Sequence, residues 1–209
     1  MKFFEKFCSY KPRFFFNSTL KTRENDVCFF LSKFANGKKV SYNDLWNFLG
    51  YKIWEKKLVK ILFVCHGNIC RSPMAEFVMK ALVKEAGKEN DFLIESAATS
   101  TEEIGNDIHY GTRQILIQNN IPFSKRRARQ ITKDDYVFYD YLIAMDEENI
   151  YYMKRKWNND PAKKIQLLLE FAGKSRAIAD PWYTGDFQQT YEDVLEGCTA
   201  FLKNLLEIR

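Results

Sequence analysis

Residues 58 to 87, LVKILFVCHGNICRSPMAEFVMKALVKEAG, restrict the possible folds more than any other stretch. LVKILFV is a short apolar run that ends in a glycine-containing loop, which reads as a buried strand. An amphipathic helix is predicted to follow. Ser72 suits its N-cap, Pro73 its first position and Gly87 its C-terminal cap. Met74, Phe77, Val78, Ala81 and Leu82 recur at intervals of three and four, giving one buried face.

The alternation continues downstream. FLIESAA (92–98) reads as a second strand, and a polar loop, TSTEEIGNDIHYG, leads to a helix over 111–119. YLIAM (141–145) reads as a third strand with a helix, ENIYYMKRKW, behind it. AIADPWYTGD is a strand end or loop interrupted by Pro181, and Phe187 to Ile208 reads as a long amphipathic closing helix. Alternating strands and helices imply a parallel sheet flanked by helices. Ligands of such sheets sit outside the carboxyl ends of the strands, and the loop from Cys65 to Ser72 lies at such an end.

Charge divides the 209 residues in two. Residues 1–57 hold 12 Lys/Arg against 5 Asp/Glu, and residues 58–209 hold 20 against 22. The boundary is therefore expected near residue 57. The extension is basic and aromatic-rich, with NDVCFFLSKFANG and SYNDLWNFLGY reading as two short helices. Two such helices suit a docking element for an acidic partner, and nucleic acid is the less favoured partner. A duller reading makes Leu58 the start of the functional chain, with the extension as upstream sequence.

No apolar run approaches 18 residues, so no membrane-spanning helix is expected. The N-terminus is broken by Glu5, Lys6, Lys11 and Arg13 and does not read as a signal peptide. Five cysteines without framework spacing fit a cytoplasmic, reducing location. Cys8, Cys28 and Cys198 read as small buried hydrophobes.

The loop itself is built for an anion. A strand, a tight turn and a helix N-terminus aim backbone N–H groups and a helix dipole inward. Arg71 adds a planar fork that matches phosphate oxygens in pairs. The same field favours a thiolate over a thiol, which makes Cys65 the candidate nucleophile. Gly67 permits a close approach, while Asn68 and Ser72 are short hydrogen-bonding residues suited to holding the loop. Cys65 and Cys70 are spaced within reach of zinc, but no second paired motif accompanies them. No metal ion or other cofactor is expected.

The pattern Cys-x5-Arg-Ser, here CHGNICRSP, resembles the signature of the low-molecular-weight protein tyrosine phosphatases. ESAATS (95–100), ARQIT (128–132), IAMDEEN (143–149) and ADPWYTGDF (179–187) continue the resemblance in the family's order. It spans residues 58–209 and implies an α/β, flavodoxin-like fold with a four-stranded parallel sheet. It also implies hydrolysis of phosphotyrosine monoesters through a phosphocysteine intermediate. Carried onto this chain, Cys65 attacks phosphorus, Arg71 clamps the oxygens, and Asp180 protonates the leaving phenolate. His66, Gly67, Asn68, Ile69, Cys70 and Ser72 complete the phosphate-binding loop. Ser72 would hydrogen-bond the thiolate and Ser96 would brace the loop with Asn68. Trp182 and Tyr183 would line the mouth, against phosphotyrosine proteins or small aryl phosphates. Cys70 would form a disulfide with Cys65 under oxidants, guarding it from over-oxidation.

Other activities on the same fold are protein-arginine phosphatase and arsenate reductase; a non-catalytic phosphate-binding module is the alternative of another class. Ile69, where arginine-specific members carry Thr, favours the tyrosine type. Asp146 reads as a helix cap rather than a catalyst. His66 reads as a rim residue without proton chemistry, and His109 as another lone histidine. SKRRARQ (124–130) reads as a solvated basic loop. Glu102 and Glu103 stand where some members carry an aromatic wall residue. The oligomeric state is not legible.

Overall fold

A computed structural model of the chain describes residues 58–207, within the compact unit Lys56–Arg209. The readings placed on residues 1–57, including Cys8 and Cys28, lie outside the described residues.

Strand β1 (Val59–Cys65) is the hinge of the architecture. Its odd-numbered residues Ile61 and Phe63 join a core with the first and last helices, and its even-numbered residues Leu62 and Val64 join a second core on the opposite face. All four are fully buried, which explains why the strand reads as continuous apolar text rather than alternating text. The order of elements is β1, α1 (Arg71–Glu85), β2 (Phe92–Ala98), α2 (Tyr110–Gln118), α3 (Lys133–Phe138), β3 (Tyr141–Ala144), α4 (Glu147–Lys156), β4 (Ile165–Leu167), α5 (Pro181–Thr184) and α6 (Phe187–Glu207). Short 3₁₀ turns at Glu89–Asp91 and Leu168–Ala172 lead into β2 and out of β4.

The sheet is parallel throughout, in the order β2-β1-β3-β4. Cys65 pairs with Ala98, Phe63 with Ile143 and Ala144 with Leu167. The chain leaves β1 toward one side to form β2 and crosses to the other side for β3. The carboxyl end of β1 therefore sits at the topological switch point, where open α/β sheets bind ligands. Helix α6 buries Tyr191, Val194, Cys198, Phe201, Leu202 and Leu205 along one stripe against α1 and the sheet.

The start of the first helix and three further elements depart from the sequence reading, while Gly87 holds the end of that helix as expected. The first helix begins at Arg71, with Cys70 as a cap that offers no side-chain bond, so Ser72 is not the N-cap and Pro73 is the third helical residue rather than the first. The Ser72 hydroxyl is engaged with Cys65 and Asn68 instead. Gly87 lies just past the helix end at φ 64°, where a glycine avoids left-handed strain. Three elements also went unread. These are β4, α3 with its Thr132/Asp135 capping box, and α5, which begins at Pro181 with Asp180 as its cap.

Candidate active site

The loop between β1 and α1 is held before anything enters it. Thr99 N–H donates to the Cys65 carbonyl at 2.9 Å, Ser100 N–H to His66 at 3.0 Å, and His109 N–H to Ile69 at 2.8 Å. Asn68 adopts a left-handed φ of 60° and is completely buried. That conformation is uncommon for a residue other than glycine and persists only where the surroundings hold it. Gly67 is packed on one side by Glu103, whose Cγ would lie 3.1 Å from an added Cβ.

The surroundings of Asn68 account for its conformation. Its N–H points at the Cys65 sulfur, 3.3 Å away. Its Nδ2 donates to Ser72 Oγ and Ser96 Oγ, each at 2.9 Å. Its Oδ1 accepts from Arg126 Nη2 at 2.8 Å and Arg129 N–H at 3.2 Å, and its carbonyl accepts from Arg126 Nη1 at 2.9 Å. Ser96 in turn donates to buried Glu76 at 2.6 Å, and Glu76 receives Lys80 at 2.5 Å. Ser72 Oγ lies 3.0 Å from the Cys65 sulfur.

SKRRARQ is thus only partly a solvated loop. Lys125 and Arg127 are exposed, but Arg126 and Arg129 turn inward. Arg126 is 14% exposed and binds the loop, while Arg129 pairs with Asp135 at 3.0 Å. Burial pulls the Arg126 guanidinium below the ordinary arginine value; the charges of Glu76 and Cys65 oppose that, and Arg129 adds to it.

Arg71 is buried at the floor of the site. Its Nη2 bonds Asp180 Oδ2, and its Nη1 bonds Asp146 Oδ2 and, at 3.2 Å, the carbonyl of Ile178. Its Nε has no hydrogen-bond partner. Of the five N–H donors a guanidinium carries, three are engaged, leaving Nε–H and one Nη2–H as a free edge. Burial works against the Arg71 charge, but Cys65, Asp180 and Asp146 more than offset it and push its pKa up.

Asp180 also caps α5, accepting from Trp182 N–H at 3.1 Å. Asp146 caps α4, accepting from Asn149 N–H at 2.7 Å, so the helix-cap reading accounts for one of its oxygens and Arg71 for the other. Sequence reasoning missed this second role, because nothing local in IAMDEEN points to a residue 75 positions away.

These groups surround a pocket of about 110 Å³ lined by Cys65, Ile69, Cys70, Arg71, Asp180 and Trp182, with His66, Gly67, Glu102, Glu103 and Tyr183 at its edges. Asn68, Ser72 and Ser96 form the layer behind it. Trp182 and Tyr183 are both exposed. His66 Nε2 lies 3.1 Å from Glu102. His109 caps α2 and stacks on Phe187, with ring centroids 5.1 Å apart. Burial, reinforced by the Cys65 charge and then Asp180, pushes the Cys70 thiol up to about 12. A wider, more open cavity of about 650 Å³ shares Glu76, Ser96 and Arg126 with the loop's support and holds no cysteine.

A cysteine at a strand end, cradled by a helix N-terminus, a buried arginine and a carboxylate at the switch point of a parallel sheet, defines the cysteine-dependent phosphate-handling α/β enzymes. Comparison with known proteins narrows that class. Residues 60–208 match the model of the low molecular weight phosphotyrosine protein phosphatase family. A Low molecular weight phosphotyrosine protein phosphatase of Gallus gallus is 45% identical over 148 residues, 68% of this chain and 93% of that protein. Among solved structures, YfkJ of Bacillus subtilis superposes with a TM-score of 0.71 at 35% identity, over 73% of this chain and 98% of that one. The Drosophila arginine phosphatase DARP superposes with a TM-score of 0.65 at 32% identity, over 70% and 98%. The chain belongs to the low molecular weight phosphotyrosine protein phosphatase family. The expected four-stranded α/β fold is the fold observed.

Proposed function

We propose that this protein hydrolyses phosphotyrosine monoesters, in proteins or as small aryl phosphates, through a phosphocysteine intermediate. The observation that carries the reading is the convergence of Cys65, the free edge of Arg71 and Asp180 on one small pocket. In the first step the Cys65 thiolate attacks phosphorus in line. The free Nε–H and Nη2–H of Arg71, with the loop N–H groups, stabilise charge on the equatorial oxygens. Asp180, released from Arg71 and protonated in the substrate complex, donates that proton to the departing phenolate, whose phenol has a pKa of about 10. In the second step Asp180 accepts a proton from water as it attacks the phosphocysteine, and Cys65 leaves as a thiolate. Charge neutralisation by Arg71 and the loop makes the reaction metal-independent.

Ser72 is the hydroxyl that steadies the thiolate, and Ser96 supports Asn68. Trp182 and Tyr183 supply aromatic faces for the substrate ring. Ile69, 8% exposed and packed with Cys70 and Ala128, keeps the inner wall apolar, which suits a phenyl ring over a guanidinium. Cys70 guards the nucleophile. Peroxide converts Cys65 to the sulfenic acid, Cys70 condenses with it to a disulfide, and thiols restore both. Cys70→Ser is expected to recover less activity than wild type after peroxide and thiol treatment; equal recovery removes the guard role.

We assign the phosphatase unit to residues 58–209 and treat 1–57 as a separate basic extension; the family match, which begins at residue 60, supports this. Among the described residues no helix is long and apolar enough to cross a membrane. Three free cysteines there, Cys65, Cys70 and Cys198, support a cytoplasmic location.

The test is turnover of phosphotyrosine and phosphoarginine peptides side by side, with and without chelator, and Cys65→Ser as control. Chelator-resistant hydrolysis of phosphotyrosine, lost in Cys65→Ser, is expected. Faster turnover of phosphoarginine would transfer the assignment to the activity named for DARP.

A further inference from the structure

We infer that His109 is a positioning residue for the substrate ring: it holds Trp182 in place at the mouth and so sets the preference for aryl over alkyl phosphates. The inference rests on the proposed function, in which Trp182 meets the substrate ring.

His109 has no part in the phosphatase chemistry, yet the phosphate loop and three helices meet at it. Its backbone N–H donates to the Ile69 carbonyl at 2.8 Å, which ties its main chain to the loop. Its Nδ1 accepts from Gly111 N–H at 3.1 Å and so caps α2. A backbone N–H only donates, so Nδ1 carries no proton and the neutral ring bears its N–H at Nε2. An imidazole lone pair lies in the ring plane, so the same bond sets the direction in which the ring faces point.

One face lies on Phe187, the first residue of α6, with centroids 5.1 Å apart and planes 2° from parallel. Phe187 is wedged in turn. It packs against the cluster of Ile69, Cys70 and Ala128, and a Cβ added to Gly111 would fall 2.6 Å from its ring. Trp182 meets the His109 ring edge to face, with centroids 5.7 Å apart and 72° between the planes. Both arrangements are favoured for aromatic pairs. A chain of rings therefore runs from the loop wall through Phe187 and His109 to Trp182.

Trp182 gains from such a hold. It is the second residue of the four-residue helix α5 and is 57% exposed. Its N–H is tied to Asp180, but that bond leaves the indole free to turn. An exposed side chain that must be ordered when a ligand arrives weakens binding. A ring already braced by His109 avoids that loss. The phosphate loop meets the same oxygens whatever the ester carries, so the effect of His109 falls on the ring of the ligand.

The test uses phenylphosphonate and methylphosphonate, one head group with and without a ring. Their Kd values are measured by titration calorimetry on the full chain, which needs no turnover. Wild type is expected to bind phenylphosphonate the more tightly. His109→Asn keeps an oxygen that can cap α2 but has no ring. Its phenylphosphonate Kd is expected to rise about fivefold, the scale of one aromatic pair, with methylphosphonate within about twofold of wild type. His109→Phe keeps a ring between Phe187 and Trp182 but loses the cap, so it is expected to melt lower and to keep the wild-type ratio of the two Kd values. Loss of that ratio in His109→Phe would assign the effect to the cap and overturn the inference. In a Trp182→Ala background His109→Asn is expected to add nothing; a further loss there would mean that His109 does not act through Trp182. If His109→Asn does not fold, His109→Ser, another cap without a ring, takes its place. Equal weakening of both phosphonates would reduce His109 to a structural tie and overturn the inference. An unchanged ratio in His109→Asn overturns this inference alone, whereas a wild type that binds neither phosphonate sinks the phosphatase reading together with it.

Discussion

The Ser72 hydroxyl lies 3.0 Å from the Cys65 sulfur while accepting from Asn68 Nδ2 at 2.9 Å. In the proposed mechanism a hydroxyl held this way donates its proton in a hydrogen bond to Cys65 as nucleophile, and later to the same atom as leaving group. Ser72→Ala is expected to lower kcat roughly 10- to 100-fold, the range for a lost hydrogen bond to a charged group. The second step should suffer more than the first. Rapid-quench kinetics should then show a larger burst of released phenol and accumulated phosphocysteine; a smaller burst would place the main effect on the attack.

Asp180 and Asp146 both bind Arg71, but they are expected to differ under one probe. Asp180→Ala should slow tyrosine-like esters by about 10²-fold or more, in keeping with loss of a general acid. Esters with acidic leaving groups should lose far less. Asp146→Ala should show no leaving-group dependence and should lose about 1 kcal/mol of stability with the α4 cap. A series of aryl phosphates separates the two, and equal losses across it for Asp180→Ala would remove its acid role.

Gly197 sits where α6 crosses the 3₁₀ turn after β4. An added Cβ would lie 2.6 Å from Leu168 Cγ and 3.2 Å from the Leu168 carbonyl oxygen. Leu168 is itself buried, with little room to withdraw. Gly197→Ala gains about 1 kcal/mol of helix propensity but overpacks the contact by about 1–3 kcal/mol. A lower melting temperature is expected, and in a Leu168→Ala background, itself destabilised by the lost core contacts, Gly197→Ala should cost less than it does in the wild type. A higher melting temperature would mean that the turn yields.

Burial first, then the Cys65 charge, pushes the Cys70 thiol up to about 12, and burial alone pushes the Cys198 thiol up. Of these three thiols, iodoacetamide at pH 7 should label Cys65 and leave Cys70 and Cys198 unmodified until the protein unfolds. The sign for stability follows from linkage. The unfolded chain loses these protons near the ordinary thiol value while the folded chain keeps them, so stability is full below about pH 9 and falls as pH rises toward 12. Urea melts at pH 7.5 and pH 10 read the difference.

Much of the fold was legible because its signals are local. Strand β1, with both faces buried, has to be a short apolar run, and the α1 stripe has to recur at helical spacing. Strand β4 was not legible, because its three residues run without a break into LLEFA and become a strand only by pairing with β3. The α3 start does leave a signal in Thr132-x-x-Asp135, a capping box that stands before only six helical residues. At the site, Cys65, Arg71 and their loop stood out because their spacing is contiguous. Arg126 did not, since a run of basic residues reads as solvated and its partner Asn68 lies 58 positions away.

Asn68 uses its backbone N–H, its carbonyl and both ends of its amide within the protein. A cradle fastened this fully needs no reordering when a tetrahedral oxyanion enters, so little affinity is lost to entropy. That preparation lies in the loop and the layer behind it and does not depend on an aryl group. Inorganic phosphate carries the same oxygens and leaves the same frame undisturbed. The rigidity that readies the enzyme for its substrate also makes it hold its product, and turnover should slow as phosphate accumulates.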